Sequence, residues 1–274
     1  MFAPRPHLGM RPPAVSGAFY PRGASELKST VEALLAQAGP SGQRPLVGAI
    51  APHAGYIYSG PVAASAFAAV AASGRGFSRV LLIGPPHYVP VRGIAAPSAK
   101  SFATPLGEVA VDADAVAALA DAGSVVVDDK PHAPEHSLEV ELPFLQTVLG
   151  DFTLIPLLVG DASPQEVAGV IDAALDSRTL LVVSTDLSHY LDDASAKERD
   201  RASAAAIEQL DYETLGPYDA CGFAALNGAL CAGRERRWKV KRLDLRNSGE
   251  TSGDRSRVVG YGAWAFASAE PASA

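Results

Sequence analysis

The fold is indicated by an apolar run that ends in a turn and a histidine, Arg79-Val80-Leu81-Leu82-Ile83-Gly84-Pro85-Pro86-His87. Two further runs have the same form: 46–50 leads into Ala51-Pro52-His53, and 179–183 leads into Ser184-Thr185-Asp186-Leu187-Ser188-His189. A strand that is apolar at every position is buried on both faces, as in the parallel sheets of α/β proteins. The three runs therefore predict strands at the centre of a sheet that is covered by helices.

Alanine-rich segments with a helical spacing of apolar residues separate these strands. We predict helices at 24–38, 59–72, 112–122, 163–175, 193–210 and 219–231, and further strands at 124–127, 153–159, 238–245 and 258–266. No repeat, low-complexity tract or linker divides the chain. The sequence thus predicts a single α/β domain over residues 1–274, with a central, mostly parallel or mixed β-sheet flanked by helices on both faces.

The composition excludes several classes of protein. A chain of 274 residues that is 48% hydrophobic and 19% charged has ample material for a core. Its net charge of -7 argues against nucleic acid or an anionic membrane surface as the main partner. No apolar run approaches the ~20 residues of a membrane span. Because only two cysteines are present, which suits a reducing compartment, we expect a soluble, cytoplasmic protein.

Candidate functional residues collect where the predicted strands end. Ligands of open α/β sheets bind outside the carboxyl ends of the strands. His53, His87 and His189 each follow an apolar strand and a turn, and Asp186 reaches the same edge. A single histidine of this kind is more often an ordinary hydrogen-bonded residue, but three in one pattern favour a metal or acid–base site.

Three other residues carry a candidate role. His136 and Glu139 lie three residues apart where we expect a helix to open within 132–141, and that spacing would place both on one helix face for proton transfer or support of a metal ligand. A solvated helix start is the alternative. Cys221 falls in the first turn of the predicted helix 219–231, where the helix dipole favours the thiolate. By default it is a small buried apolar residue.

These motifs resemble the Memo family, whose bacterial and archaeal members are called AmmeMemoRadiSam system protein B. The resemblance spans nearly the whole chain in order. Its matching stretches are RPPAVSGAFYP at 11–21, APHAGY at 51–56, GPPHYVP at 84–90, EHSLE at 135–139, STDLSH at 184–189 and VVGYGA at 258–263.

The resemblance implies a fold related to the class III extradiol dioxygenases and one metal pocket. The metal ligands carried over are His53, His87 and Cys221, with Asp186 and His189 beside the metal as further ligands or acid–base groups. Class III dioxygenases use two histidines and a carboxylate, which suits iron(II). A thiolate is softer, which makes copper(I) a rival to the favoured iron(II). Asp186 is the alternative third ligand.

We therefore expect an iron- or copper-dependent, dioxygenase-like oxidoreductase that acts on a small substrate. His189 would be the general base, tuned by Asp186, and His136 with Glu139 would serve a second proton transfer. The alternative is a non-catalytic module that binds metal or a peptide, since animal Memo proteins are associated with phosphotyrosine peptides. The resemblance also implies a pathway shared with an AMMECR1-like protein and a radical SAM protein.

Overall fold

A mixed sheet runs through the centre of the computed structural model, which describes residues 9–39, 45–251 and 253–269. Within those ranges the sheet has twelve strands. They are β1 (Met10–Arg11), β2 (Leu46–Ala51), β3 (Arg79–Gly84), β4 (Ile94–Ala96), β5 (Ser101–Thr104), β6 (Gly107–Val111), β7 (Val126–Val127), β8 (Thr153–Val159), β9 (Thr179–Ser184), β10 (His189–Leu191), β11 (Lys239–Asn247) and β12 (Val258–Ala267).

The strand order places β2, β3 and β9, the three strands that lead into His53, His87 and His189, side by side. The order is β1-β5-β6-β8-β3-β9-β2-β12-β10, with β11 paired to β12 and β4 joining β8 to β7. Strands β6, β8, β3, β9 and β2 are parallel to their neighbours in this central run, whereas β12 is antiparallel to β2. Because β9 lies between β3 and β2, the carboxyl ends of all three strands open onto one edge of the sheet.

Nine helices flank this sheet in the described part of the chain. Helices α1, α2 and α5 pack on one another, and α6 packs against both α3 and α8. Their bounds are α1 (Ala24–Ala38), α2 (Tyr56–Ala72), α3 (Ala113–Asp121), α4 (Asp129–His132), α5 (Leu142–Leu149), α6 (Pro164–Ala174), α7 (Asp193–Glu208), α8 (Phe223–Glu235) and α9 (Ser248–Thr251). None of them is long and apolar enough to cross a membrane. The predicted α/β domain with a mixed, helix-flanked sheet is confirmed.

Local sequence explains where α6 begins and how closely it packs. The Ser163 side chain accepts a hydrogen bond from the Glu166 backbone N–H while the Glu166 carboxylate accepts from Ser163, which is a complete capping box. Helix α8 approaches α6 at Gly228, where a β-carbon would lie 2.2 Å from the Val167 side chain. A glycine is therefore required at that crossing.

Two of the predicted helix starts are wrong, and both bear on the candidate site. The segment 132–141 does not open a helix through His136: α4 ends at His132, and a short 3₁₀ turn at Glu139–Glu141 leads into α5. His136 lies in the loop between them. Helix α8 begins at Phe223 and not at 219, so Cys221 precedes the helix. The short strands β1, β4, β5, β6 and β10 were not predicted.

Candidate metal centre

Three imidazoles meet at the carboxyl edge of the sheet. His53 follows β2, His87 follows β3, and His136 comes from the loop before α5. Each can offer one ligand atom such that the three atoms all lie within 4.8 Å of one another. The ring centroids are 4.6 to 5.5 Å apart. Residues that are far apart in sequence thus form one group that could hold a metal ion.

Two of these rings are oriented by a hydrogen bond at Nδ1. His53 Nδ1 lies 2.7 Å from Ser184 Oγ, and His87 Nδ1 lies 2.8 Å from Glu135 Oε1. Each ring therefore turns its Nε2 away from that partner. Metal-ligating histidines are typically oriented in this way by a bond to the second ring nitrogen.

The third ring carries a buried nitrogen with no hydrogen-bond partner among the described residues. This atom is His136 Nδ1. Glu135 Oε1 lies 3.4 Å from this nitrogen but makes no hydrogen bond to it. Buried polar atoms are nearly always hydrogen-bonded or otherwise coordinated, so the nitrogen is available to a further partner. A metal ion bound among the three imidazoles fits this donor set, since neutral imidazole suits iron, copper, zinc and nickel.

The surroundings keep the imidazoles of His53 and His136 neutral. Burial, followed by the charges of His87, His136 and His189, holds the pKa of His53 well below its usual value. Burial lowers the pKa of His136 to about 4, although Glu135 opposes the shift. Neutral imidazole is the form that binds a metal ion.

Asp186 and Cys221 lie against His53. Asp186 Oδ1 accepts a hydrogen bond of 2.8 Å from the His53 backbone N–H, and burial raises the pKa of this carboxyl to about 7. Cys221 Sγ lies 3.3 Å from His53 Nε2 and accepts from the Asp186 backbone N–H at 3.3 Å. Burial and then the Asp186 charge raise the thiol pKa, which is opposite to the effect expected from a helix N-terminus.

His189 lies on β10, which pairs with β12 at this edge. Its Nδ1–H donates to the Leu187 carbonyl at 2.8 Å, which leaves Nε2 with a lone pair. Burial lowers the pKa of His189 as well. The next residue, Tyr190, has φ 60°, a conformation that non-glycine residues seldom adopt and that is found at functional sites.

Comparison with known proteins adds the family. The model of the family described as "Memo-like protein" matches residues 11–265. This chain belongs to the Memo family. MEMO1 family proteins of Nitrosopumilus maritimus and Thermotoga neapolitana are 32% and 36% identical to it over 94% and 92% of this chain, and over 99% and 98% of their own. An uncharacterized protein of Escherichia coli K12 has a solved structure that covers 71% of this chain and 88% of its own at 14% identity, with a TM-score of 0.43.

In this Memo-family chain the ligand set carried over from sequence and the set grouped by the structure differ at one position. His53 and His87 belong to both. The structure brings His136 into the mutually close group, whereas Cys221 is not part of that group although its Sγ lies against His53. Cys221 as a metal ligand stays a prediction.

Glu139 is surrounded by the N-terminal segment rather than by solvent or the metal group. Its Oε2 accepts from Arg11 Nη1 at 2.8 Å and from the Ala14 N–H at 2.6 Å. Its Oε1 accepts from the Val15 N–H at 3.0 Å and from the Tyr20 hydroxyl. The carboxylate is fully buried, and these contacts hold the N-terminal segment against the segment that carries His136 and Glu139. Its role in proton transfer stays a prediction.

Sequence reasoning missed Glu135, Ser184 and Glu141. Glu135 pairs with His87; burial alone would raise its pKa, but the hydrogen bonds and charge of His87 lower it to about 2. Ser184 is the last residue of β9, and Glu141 is fully buried behind it. The one available signal was position, because Glu135 and Ser184 stand at the start of motifs that the sequence singled out.

Proposed function

We propose that this protein binds one metal ion through His53, His87 and His136 and uses it in an oxidoreductase reaction on a small organic substrate. The observation that supports this most strongly is the convergence of three imidazoles whose ligand atoms lie within 4.8 Å of one another. Two of them are already oriented by partners on their far nitrogens. We assign iron(II) as the metal and copper as its rival, and the cytoplasm as its compartment, where both cysteines stay free.

The bound ion would supply Lewis-acid and redox chemistry at the carboxyl edge of the sheet. His189 Nε2 then accepts a proton from the substrate, because the Leu187 carbonyl fixes the ring with its proton on Nδ1. The depressed pKa of His189 keeps that lone pair available at neutral pH. Cys221 and Asp186 close the side of the site next to His53.

The test separates binding from turnover. Protein purified without oxygen is loaded with iron(II), and oxygen uptake is measured with a panel of small hydroxylated aromatic and aliphatic compounds. We expect one metal ion per chain and iron-dependent uptake with at least one compound. His189→Ala should keep the iron and lose the uptake.

His132→Gln is the matched control, because His132 lies outside the metal group and bonds to the Ala95 carbonyl. It should keep both iron and uptake. Full uptake in His189→Ala would refute the base assignment. Stoichiometric iron without uptake for any compound would favour the non-catalytic alternative over the oxidoreductase. Absence of stoichiometric metal would contradict the proposed metal binding and leave only the peptide-binding form of the alternative.

A further inference from the structure

The hydroxyl of Ser184 has three buried polar neighbours. Its Oγ lies 2.6 Å from the Ser137 carbonyl oxygen, 2.7 Å from His53 Nδ1 and 2.9 Å from Glu141 Oε1. Ser137, Ser184 and Glu141 have no exposed surface. A serine hydroxyl has one proton to donate and two lone pairs. The three contacts therefore fill its whole hydrogen-bonding capacity, and only one of them can receive its proton.

The Ser137 carbonyl determines which of the three neighbours receives the Ser184 proton. A backbone carbonyl can only accept, and two oxygens at 2.6 Å without a hydrogen between them repel one another. Ser184 must therefore donate to Ser137. In the two remaining contacts Ser184 Oγ is the acceptor. His53 Nδ1 and Glu141 Oε1 therefore each carry a hydrogen and donate it to Ser184.

The surroundings of Glu141 fit a neutral carboxyl group. Its second oxygen, Oε2, is buried and has no hydrogen-bond partner among the described residues. A charged carboxylate with one bare oxygen in the core is far more costly than a neutral acid. Burial, opposed by the Ser184 bond and aided by the Asp186 charge, raises the pKa of Glu141 well above its usual value.

We propose that Glu141 and Ser184 are positioning residues that form a hydrogen-bonded chain behind the metal group. The chain fixes the proton of His53 on Nδ1 and presents the Nε2 lone pair to the metal. The role of this hydrogen-bonded chain depends on the proposed metal binding. Its proton positions, however, are the same in the metal-free protein.

The chain makes two metal ligands unequal. His87 is backed by the ionised carboxylate of Glu135, which increases electron donation from the ring to a bound metal. His53 is backed by a neutral hydroxyl and a neutral acid instead. The two imidazoles thus differ in electron donation although both present Nε2.

Infrared and NMR spectra of the metal-free protein at neutral pH test the chain without any metal. The infrared difference between wild type and Glu141→Gln should contain the carbonyl stretch of a protonated carboxyl group. The difference for the matched control Glu135→Gln should contain carboxylate bands. Nitrogen NMR of the imidazoles should find His53 protonated at Nδ1 in wild type and in Glu141→Gln, whose amide can still donate to Ser184.

Iron(II) titration then tests the purpose of the chain. Ser184→Ala removes the acceptor for His53 Nδ1 and should weaken iron binding by about 10–100-fold, as loss of such a partner typically does. Ser203→Ala removes another buried serine hydroxyl, which donates to the Arg199 carbonyl, and the variant should bind iron like wild type.

Carboxylate bands in the Glu141→Gln difference, or His53 protonated at Nε2 in wild type, would overturn the proposal. Unchanged iron affinity in folded Ser184→Ala would also overturn it. If Ser184→Ala does not fold, the spectra of wild type and Glu141→Gln decide. Failure of the wild-type protein to bind iron would refute the proposed function. The infrared and NMR spectra would then test the hydrogen-bonded chain by themselves.

Discussion

Replacing Glu139 by Gln should destabilise the protein strongly, because its carboxylate holds the N-terminal segment in place. Each of its oxygens accepts two hydrogen bonds, from Arg11 and Ala14 on one side and from Val15 and Tyr20 on the other. The amide of Gln keeps one oxygen and presents N–H groups to the other pair of donors. It also leaves the buried Arg11 guanidinium without its counter-charge.

The loss follows from these contacts. Removing one partner of a buried ion pair costs about 3–5 kcal/mol, and each buried donor left unsatisfied costs about 1–3 kcal/mol. Since these terms overlap, we expect the free energy of unfolding to fall by about 3–5 kcal/mol. The measurement is urea denaturation of the metal-free protein at neutral pH.

The matched control is Glu166→Gln, which removes the exposed carboxylate of the α6 capping box. That change should lower the free energy of unfolding far less than Glu139→Gln does, because the Glu166 carboxylate is exposed to solvent, which screens its contacts. A loss in Glu139→Gln no larger than the loss in Glu166→Gln would refute the structural role and return Glu139 to the list of candidate proton-transfer groups.

Three further predictions follow from particular contacts. Glu135→Gln removes the carboxylate that orients His87 and should weaken iron(II) binding by about 10–100-fold in titrations; unchanged affinity would contradict the assigned orientation. Gly228→Ala places a methyl group against Val167 and should lower the free energy of unfolding by about 1–3 kcal/mol, which urea denaturation measures; a neutral result would mean that α8 and α6 can separate there without cost. In metal-free protein His136 should titrate near pH 4 by NMR, whereas titration near 6.5 would show that it is not buried as described. Because the unfolded chain takes up that proton first, His136 contributes a loss of stability as the pH falls from about 6.5 toward 4, and His136→Gln should remove this contribution.

The strands and most helices could be predicted because their signals are local. The run 79–83 and its two counterparts are apolar at every position, and 24–38 has an apolar residue on every helical turn, so α1 has the predicted bounds. The position of two histidines could be predicted by the same reasoning, because the residues that follow parallel strands lie at the same edge of the sheet. Convergence of His53 and His87 therefore needed no long-range information.

The position of His136 could not be predicted in the same way. Its loop is shaped by the Glu135 side chain, which accepts the backbone N–H groups of His136 and Ser137 and also binds His87, 48 residues away in sequence. Glu139 is held by Arg11 across 128 residues. These contacts overcome the helical tendency of the segment, and no local pattern reveals them.

The most direct test of the central claim is anomalous diffraction at the iron edge from crystals grown without oxygen in the presence of iron(II). We predict one peak per chain, within bonding distance of His53, His87 and His136. A chain with no iron peak among these three imidazoles, or with its peak elsewhere, would contradict the account.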